Sequence, residues 1–377
     1  MEVVEDKHED EMFLVSSDTE SDYGDENYLF YDENSDTRKE IKDRLSAFDS
    51  DTGGMSEVYQ ERFLPKLKDK TPNFLTWLVD TDLLSSTVSC PNAESDPNCS
   101  QYMEYVFAFG LYDSYQLRCR NCLSKESIRK KSIFYGVKCN LRSAIRILYG
   151  WVKGVDLEVM SSMLGLDRNI IGTIYNRAAK IALSCLSVSP EFIEFGGENS
   201  VVLVDIYPNM LQCPNKLKTC RPILCIAEAE SFPQRFWLQE LDFWDPQDPE
   251  QISKVRKKII FAITTLVRRG STLILPNYES MPLPENIEVL KKKYATIRFM
   301  DELMKFASER RPVYPILDTI WKKPVSLCEE AQFYNPGYVS QFLIRNIWNE
   351  ATGRDSFIML IIFIVYVTRR KNIEDYL

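Results

Sequence analysis

The stretch Val201-Val202-Leu203-Val204-Asp205 decides the reading of the fold. Four consecutive apolar residues, three of them β-branched, exceed what a half-exposed strand needs, so the strand is expected to be buried on both faces. It ends at a carboxylate. Residues 222–230 and 235–241 read as two further strands that follow directly. Pro249 then opens a long helix with Ile252, Val255, Ile259, Ile263 and Leu266 on one face, and Gly270 ends it. Residues 271–275 form the next strand, followed by another helix and a strand over 295–299. Strands joined by short turns pair antiparallel and strands joined by a helix pair parallel, so a mixed sheet is predicted.

Three strands in a row, then helix and strand, is the order of an RNase H-like mixed sheet. In that arrangement carboxylates at strand ends and on a later helix meet at the sheet edge and hold two divalent metals for in-line attack on phosphate. Asp205, the residue after Pro276 and Asp318 are the positions to inspect. The residue after Pro276 is Asn277, an amide. Taken alone, an Asp at a strand end is an ordinary turn residue.

A chain of 377 residues can bury a sizeable core, and its 45% apolar content is that of a globular protein. The net charge of −9 is segregated. Residues 1–60 carry 19 acidic and 5 basic side chains, and residues 61–377 carry 36 acidic and 41 basic. An acidic tail is thus attached to a mildly basic body, which permits nucleic-acid binding without demanding it. The N-terminus lacks the apolar core of a signal peptide. The most apolar run, residues 357–367, is too short to span a bilayer and reads as a buried helix, so no membrane partner is expected. Ten cysteines without a secretory signal read as reduced thiols or metal ligands in cytosol or nucleus.

Cys119-Arg120-Asn121-Cys122 is a C-x-x-C pair whose best partners are Cys90 and Cys99. Two thiolate pairs on two turns, joined by a hairpin over 102–117, describe a zinc ribbon with a structural Zn2+. The wide first pair, C-x8-C, leaves room for the alternative of thiols that bind nothing. Cys213, Cys220 and Cys225 form a looser group, and Cys225 in its apolar strand reads as core.

Residues 140–186 are helical. Leu141, Ile145, Leu148 and Tyr149 mark one face of a first helix, residues 155–164 a second, Gly165 the turn, and Asp167 the cap of a third. This is helix-turn-helix spacing. Arg168, Asn169, Thr173, Arg177 and Lys180 lie on the polar face of the third helix, suited to base edges and phosphates. Arg129, Lys130 and Lys131 add a basic stripe. A solvated face on a packing helix accounts for the same pattern equally well. A further helix is expected over 74–84, and two more over 338–370 around Gly353.

In the tail, Met12-Phe13-Leu14-Val15 precedes Ser16-Ser17-Asp18-Thr19-Glu20. An apolar strand followed by acids is the pattern of a SUMO-interacting motif, with Phe13, Leu14 and Val15 as the partner-binding residues. An ordinary acidic tail is the alternative. Tyr28-Leu29-Phe30-Tyr31 is a second apolar segment, open to a partner or to the basic body. The expected organisation is a disordered tail at 1–60, a docking helix and zinc-ribbon module at 61–135, the helix-turn-helix at 136–190, and the RNase H-like domain with C-terminal helices at 191–377. In class terms this is α+β bordering on α/β.

From about Phe74 to Ile362 the chain resembles the Merlin-type DDE transposases. Arg118-Cys119-Arg120-Asn121-Cys122, Ser127-Ile128-Arg129 and Ser132-Ile133-Phe134 look like that family's R-C-x-x-C, S-I-R and S-F-F run. Leu148-Tyr149-Gly150-Trp151 looks like its L-Y-x-W. Gly196-Gly197 before Val202–Asp205, Arg269-Gly270-Ser271-Thr272-Leu273 through Asn277, and Leu317-Asp318-Thr319-Ile320-Trp321 follow in the family's order, as do Phe342–Trp348 and Asp355-Ser356-Phe357. The departures bear on activity. Ile206 stands where the family has Glu, Asn277 replaces the second carboxylate, Asp318 is shorter than the third, and the only histidine is His8. Asn offers a metal one neutral oxygen and cannot supply the charge that keeps two dications close.

The resemblance therefore implies a catalytically inactive, domesticated relative in the nucleus, with no catalytic Mg2+. It would bind DNA or chromatin, self-associate, and recruit nuclear proteins such as SUMO through its tail. A protein-interaction scaffold without DNA binding and a residual metal-dependent nuclease are the alternatives.

Overall fold

A computed structural model of the chain describes residues 57–96, 99, 101–208, 220–231, 234–245, 247–276, 287–294, 296–303, 313–369 and 376. Phe13, Leu14, Val15, the Tyr28–Tyr31 segment, Cys213 and Asn277 lie outside them. The last residues of the stretch expected to be a disordered tail are ordered. A π-helical turn, Tyr59–Phe63, runs into α1 (Leu64–Lys68), followed by α2 (Thr71–Asp80). Tyr59 is fully buried, its ring stacked on Tyr149 at 3.6 Å and edge-on to Phe357. Apolar contact at both ends of the chain holds this segment despite its acidic neighbours.

A three-stranded antiparallel sheet follows: β1 (Met103–Phe107), β2 (Tyr115–Cys119) and β3 (Lys125–Glu126). Next come α3 (Leu141–Lys153), α4 (Leu157–Leu164), α5 (Arg168–Val188) and the short α6 (Pro190–Ile193). Asn140, Asp156 and Asp167 cap α3, α4 and α5 through side-chain oxygens, which satisfies amides that would otherwise lack partners. Gly165, at φ +63°, makes the left-handed turn between α4 and α5.

The second sheet is mixed and five-stranded. Its strands are β4 (Val201–Tyr207), β5 (Ile223–Glu228), β6 (Phe236–Glu240), β7 (Thr272–Leu275) and β8 (Thr296–Phe299), in the order β6-β5-β4-β7-β8. The β4–β5 and β5–β6 pairs are antiparallel, and the β4–β7 and β7–β8 pairs are parallel. Helices α7 (Pro249–Leu266) and α8 (Ile287–Lys293) provide the crossovers. Then come α9 (Val313–Ala331), α10 (Pro336–Thr352) and α11 (Ser356–Arg369).

The strand β4 runs two residues past Asp205. Ile206 and Tyr207 pair with Leu224 and Ile223, so the carboxylate sits within the strand and not at its end. Alternation sorts its side chains between two cores. Val202, Val204 and Ile206 pack with Val255, Ile259 and Ile263 of α7. Leu203 and Tyr207 join the larger core with Cys225, Trp321 and Cys328. Gly196, at φ +76°, passes so close to Ser271 that any side chain there would collide with the hydroxyl, and Ser271 Oγ accepts a hydrogen bond from the amide of Gly197 at 2.9 Å.

The apolar run at 357–367 lies in α11, with Phe357, Leu360, Ile361, Ile364 and Val367 buried. Joined end to end, residues 336–369 are long and apolar enough to cross a membrane, but Gly353 at φ +60° and a 3-10 turn divide them, and α11 packs on α3 and α5. One larger core runs from Tyr59 to Val367, so the sequence boundaries at 135 and 190 do not separate independent cores.

Candidate metal centre

Cys90 and Cys99 flank one loop, and Cys119 and Cys122 the tight turn after β2. Chain pairing brings them together. The amide of Cys90 donates to Gln101 O at 2.8 Å and that of Met103 to Val88 O at 3.0 Å, which lays the 88–90 segment beside the start of β1. Met103 pairs with Cys119 across β1–β2. The second turn closes by Cys119 N donating to Ser124 O at 3.0 Å, with Leu123 at φ +62°.

The four Sγ atoms lie within 4.8 Å of one another. Cys90 and Cys122 are 3.3 Å apart, Cys99 and Cys119 3.6 Å, and Cys99 and Cys122 4.0 Å. Zinc–sulfur bonds of about 2.3 Å at tetrahedral angles separate sulfurs by roughly 3.8 Å, so the set fits one tetrahedral ion. Ser124 Oγ lies 3.0 Å from Cys90 Sγ and 3.2 Å from Cys122 Sγ, and Asn92 Nδ2 donates to Cys122 Sγ at 3.7 Å. Hydrogen bonds from Ser124 lower the Cys122 pKa, while burial pushes the Cys99 thiol up to about 12. A dication would deprotonate such a thiol outright. Neither Ser124 nor Asn92 was evident from the sequence, although Ser124 stands two residues after the C-x-x-C pair.

The basic residues expected to meet DNA divide into two groups. Arg129 is buried: Nε and Nη2 donate to Asp113 Oδ2 at 2.8 and 2.6 Å, and Nη1 to Val137 O at 2.5 Å. Asp113 Oδ1 also accepts from Leu141 N at 2.9 Å, so this pair fastens the β-hairpin to α3. Arg177 is buried as well, with Nη1 donating to Ile133 O and Tyr135 O, both at 2.7 Å, and burial lowers its pKa to about 10. Neither side chain can reach a nucleic acid. In sequence both look like surface residues, because the groups that accept from them lie on other turns and loops. Lys130 pairs with Glu126 and Arg168 with Glu158, each within 2.7 Å. Lys131 is half-buried in a left-handed turn. Asn169, Thr173, Asn176 and Lys180 remain as one exposed stripe on α5.

Of the positions singled out in the sequence around β4, Asp205 is buried and Asp318 is exposed on α9, so the two carboxylates sit in opposite environments. Asp205 Oδ1 accepts from Ile206 N at 2.8 Å, and burial pushes its pKa up to about 7. No cation pairs with it among the described residues. Opposite it on β5 stands Cys225, whose Sγ lies 3.6 Å from Cys328 Sγ. No family model, curated protein or solved structure matches the chain.

Proposed function

We propose that the protein is a transposase-derived, nucleic-acid-binding protein of the nucleus that no longer cuts DNA. The observation that carries this reading is the order β6-β5-β4-β7-β8, antiparallel on one side of β4 and parallel on the other, with Asp205 on β4. That is the strand arrangement an RNase H-like nuclease sheet needs, and it accords with the resemblance to Merlin-type transposases. In this reading Cys90, Cys99, Cys119 and Cys122 hold a structural Zn2+ in a zinc ribbon. Helices α3 to α5 act as a helix-turn-helix, with Asn169, Thr173 and Lys180 toward the major groove. Asn277 and the solvent-exposed Asp318 argue against a two-metal site. Self-association and recruitment of nuclear proteins through the acidic tail, SUMO among them, complete the proposal.

The test is equilibrium binding of the full chain to duplex DNA across a salt series. With Arg129 and Arg177 buried and Lys130 and Arg168 paired to carboxylates, few of the expected cations remain free. The slope of log K against log salt should be shallow, roughly −2 to −4, and Lys180→Ala should reduce it by about 1. Incubation with Mg2+ or Mn2+ should leave the DNA intact. Cleavage that vanishes in Asp205→Ala would establish a residual nuclease instead. The burial of two of the expected contacts favours, as second reading, a protein-interaction scaffold, and absence of any salt-dependent binding would establish it.

A further inference from the structure

A cleft of about 180 Å³ opens where the N-terminus of α5 meets the turn between α9 and α10. Pockets for drug-sized ligands run to roughly 300–1,000 Å³, so this one suits a single flat group. Its walls are aromatic: Trp151, Tyr334, Tyr338 and Phe342, with Phe333 89% exposed at the mouth. Tyr334 and Phe342 stack at 4.6 Å with their planes 29° apart. The Arg345 guanidinium lies 5.0 Å from the Phe342 centroid and rests against Gly154, where an added Cβ would meet its Cζ at 3.3 Å. It is thus held flat between a ring and a backbone.

The charges decide what the cleft can take. Asp156 accepts the amides of Glu158 and Val159 as the cap of α4, and Glu158 pairs with Arg168 at 2.7 Å. The Glu158 charge is thus neutralised and Asp156 is held by the helix amides, which leaves one rim carboxylate to set against the Arg345 guanidinium. Arg345, by contrast, has no ion pair among the described residues. A planar π-system carrying an anion meets all of these conditions.

We infer that the cleft binds one unstacked nucleotide, its base against Phe333 and Tyr338 and its phosphate on Arg345. Aromatic platforms beside arginines are how single-stranded bases are held. The assignment rests on the nucleic-acid-binding reading above, since the cleft lies at the N-terminus of α5, the helix whose exposed stripe that reading turns toward nucleic acid.

The experiment titrates the full chain into a single-stranded DNA of about a dozen nucleotides containing one 2-aminopurine, with the same sequence as duplex in parallel. Stacking should quench the probe. Phe333→Ala and Arg345→Ala should each weaken single-strand binding about tenfold or more and abolish the quench. Phe333 is so exposed that its removal leaves folding intact, and unchanged melting of each variant checks this. Absence of binding to either DNA would overturn the functional reading together with this one. Duplex binding with an unquenched probe and neutral cleft variants would overturn the cleft assignment alone. Preferential, Arg345-dependent binding of a peptide of residues 25–34, with no single-strand binding, would reassign the cleft to an acidic aromatic segment of this chain.

Discussion

Asp205 faces Cys225 inside the larger core, and burial there raises its carboxyl pKa from 3.8 to about 7. Between these values the folded chain retains a proton that the unfolded chain has lost. Stability is therefore fully present below about pH 4, falls as pH rises toward 7, and is level above it. The gap corresponds to at most roughly 4 kcal/mol. Asp205→Asn should flatten the melting temperature between pH 5 and 7.5 and raise it above that of the native chain at pH 8. A bound dication would reverse the outcome: the native chain would gain stability with Mg2+ and the variant would not. Arg177 behaves as a structural residue by the same logic. Arg177→Ala leaves one buried and one partly buried carbonyl without a donor and should cost roughly 1–3 kcal/mol in urea unfolding. A variant as stable as the parent but weaker on DNA would restore Arg177 to the interface. Neither environment was legible in the sequence. An Arg on the polar arc of a helical wheel looks exposed until Ile133 and Tyr135, more than forty residues upstream, bring their carbonyls over it. An Asp after four apolar residues looks like a strand end until β5 extends the pairing to Tyr207.

At the scale of elements, periodicity and caps carried most of the reading. Apolar runs located the strands of the five-stranded sheet: β4, β5 and β7 are buried on both faces, which leaves little choice of composition, whereas the edge strands β6 and β8 are partly exposed and carry a weaker, alternating pattern. Asp167 and Gly165 fixed the turn before α5 for reasons of backbone chemistry alone. Long α9 was not anticipated as one element: Pro324 inside it reads as a break, and only tertiary packing carries the helix across. The β1–β2–β3 sheet is different again, since three short strands hold few buried apolar side chains of their own. A metal at the four cysteines would supply what that core lacks. One zinc per chain should be measured by elemental analysis. Chelation, or Cys119→Ser, should release it and strip hydrogen-exchange protection from residues 103–119 first. The five-stranded sheet should retain its protection under mild chelation. Full protection of the hairpin in metal-free protein would mean that the thiols are merely packed.

For the whole molecule, the issue is whether the front end is a detachable module, as the sequence suggested by its runs of helix and cysteine. Helix α5 answers through its burial pattern. Ile171, Ile174, Arg177, Ala178, Ile181 and Ala182 are buried, and so are Gly172, Tyr175, Ala179 and Leu186. At about 100° per residue these positions sweep roughly 220° of the helix, leaving the stripe of Asn169, Thr173, Asn176 and Lys180 and the two helix ends to solvent. An arc that wide needs more than α3 and α4 to cover it. The remainder is covered by α10 and α11, from the far end of the chain. Asn349 Nδ2 donates to Val152 O at 2.7 Å, and Ser184 Oγ meets the Tyr376 hydroxyl at 2.7 Å. Tyr59 closes the same core from the other terminus. A fragment of residues 57–196 would therefore expose a continuous apolar face of α5 and α3. It should bind a hydrophobic dye, melt without a cooperative transition and associate, whereas the chain from residue 57 to its end should melt as one unit close to the full-length protein. Restoring residues 336–377 in trans should recover a cooperative transition if α10 and α11 are the missing cover. A monomeric fragment with a sharp transition of its own would mean that the front end folds independently, and that its attachment to the sheet is a matter of tethering alone.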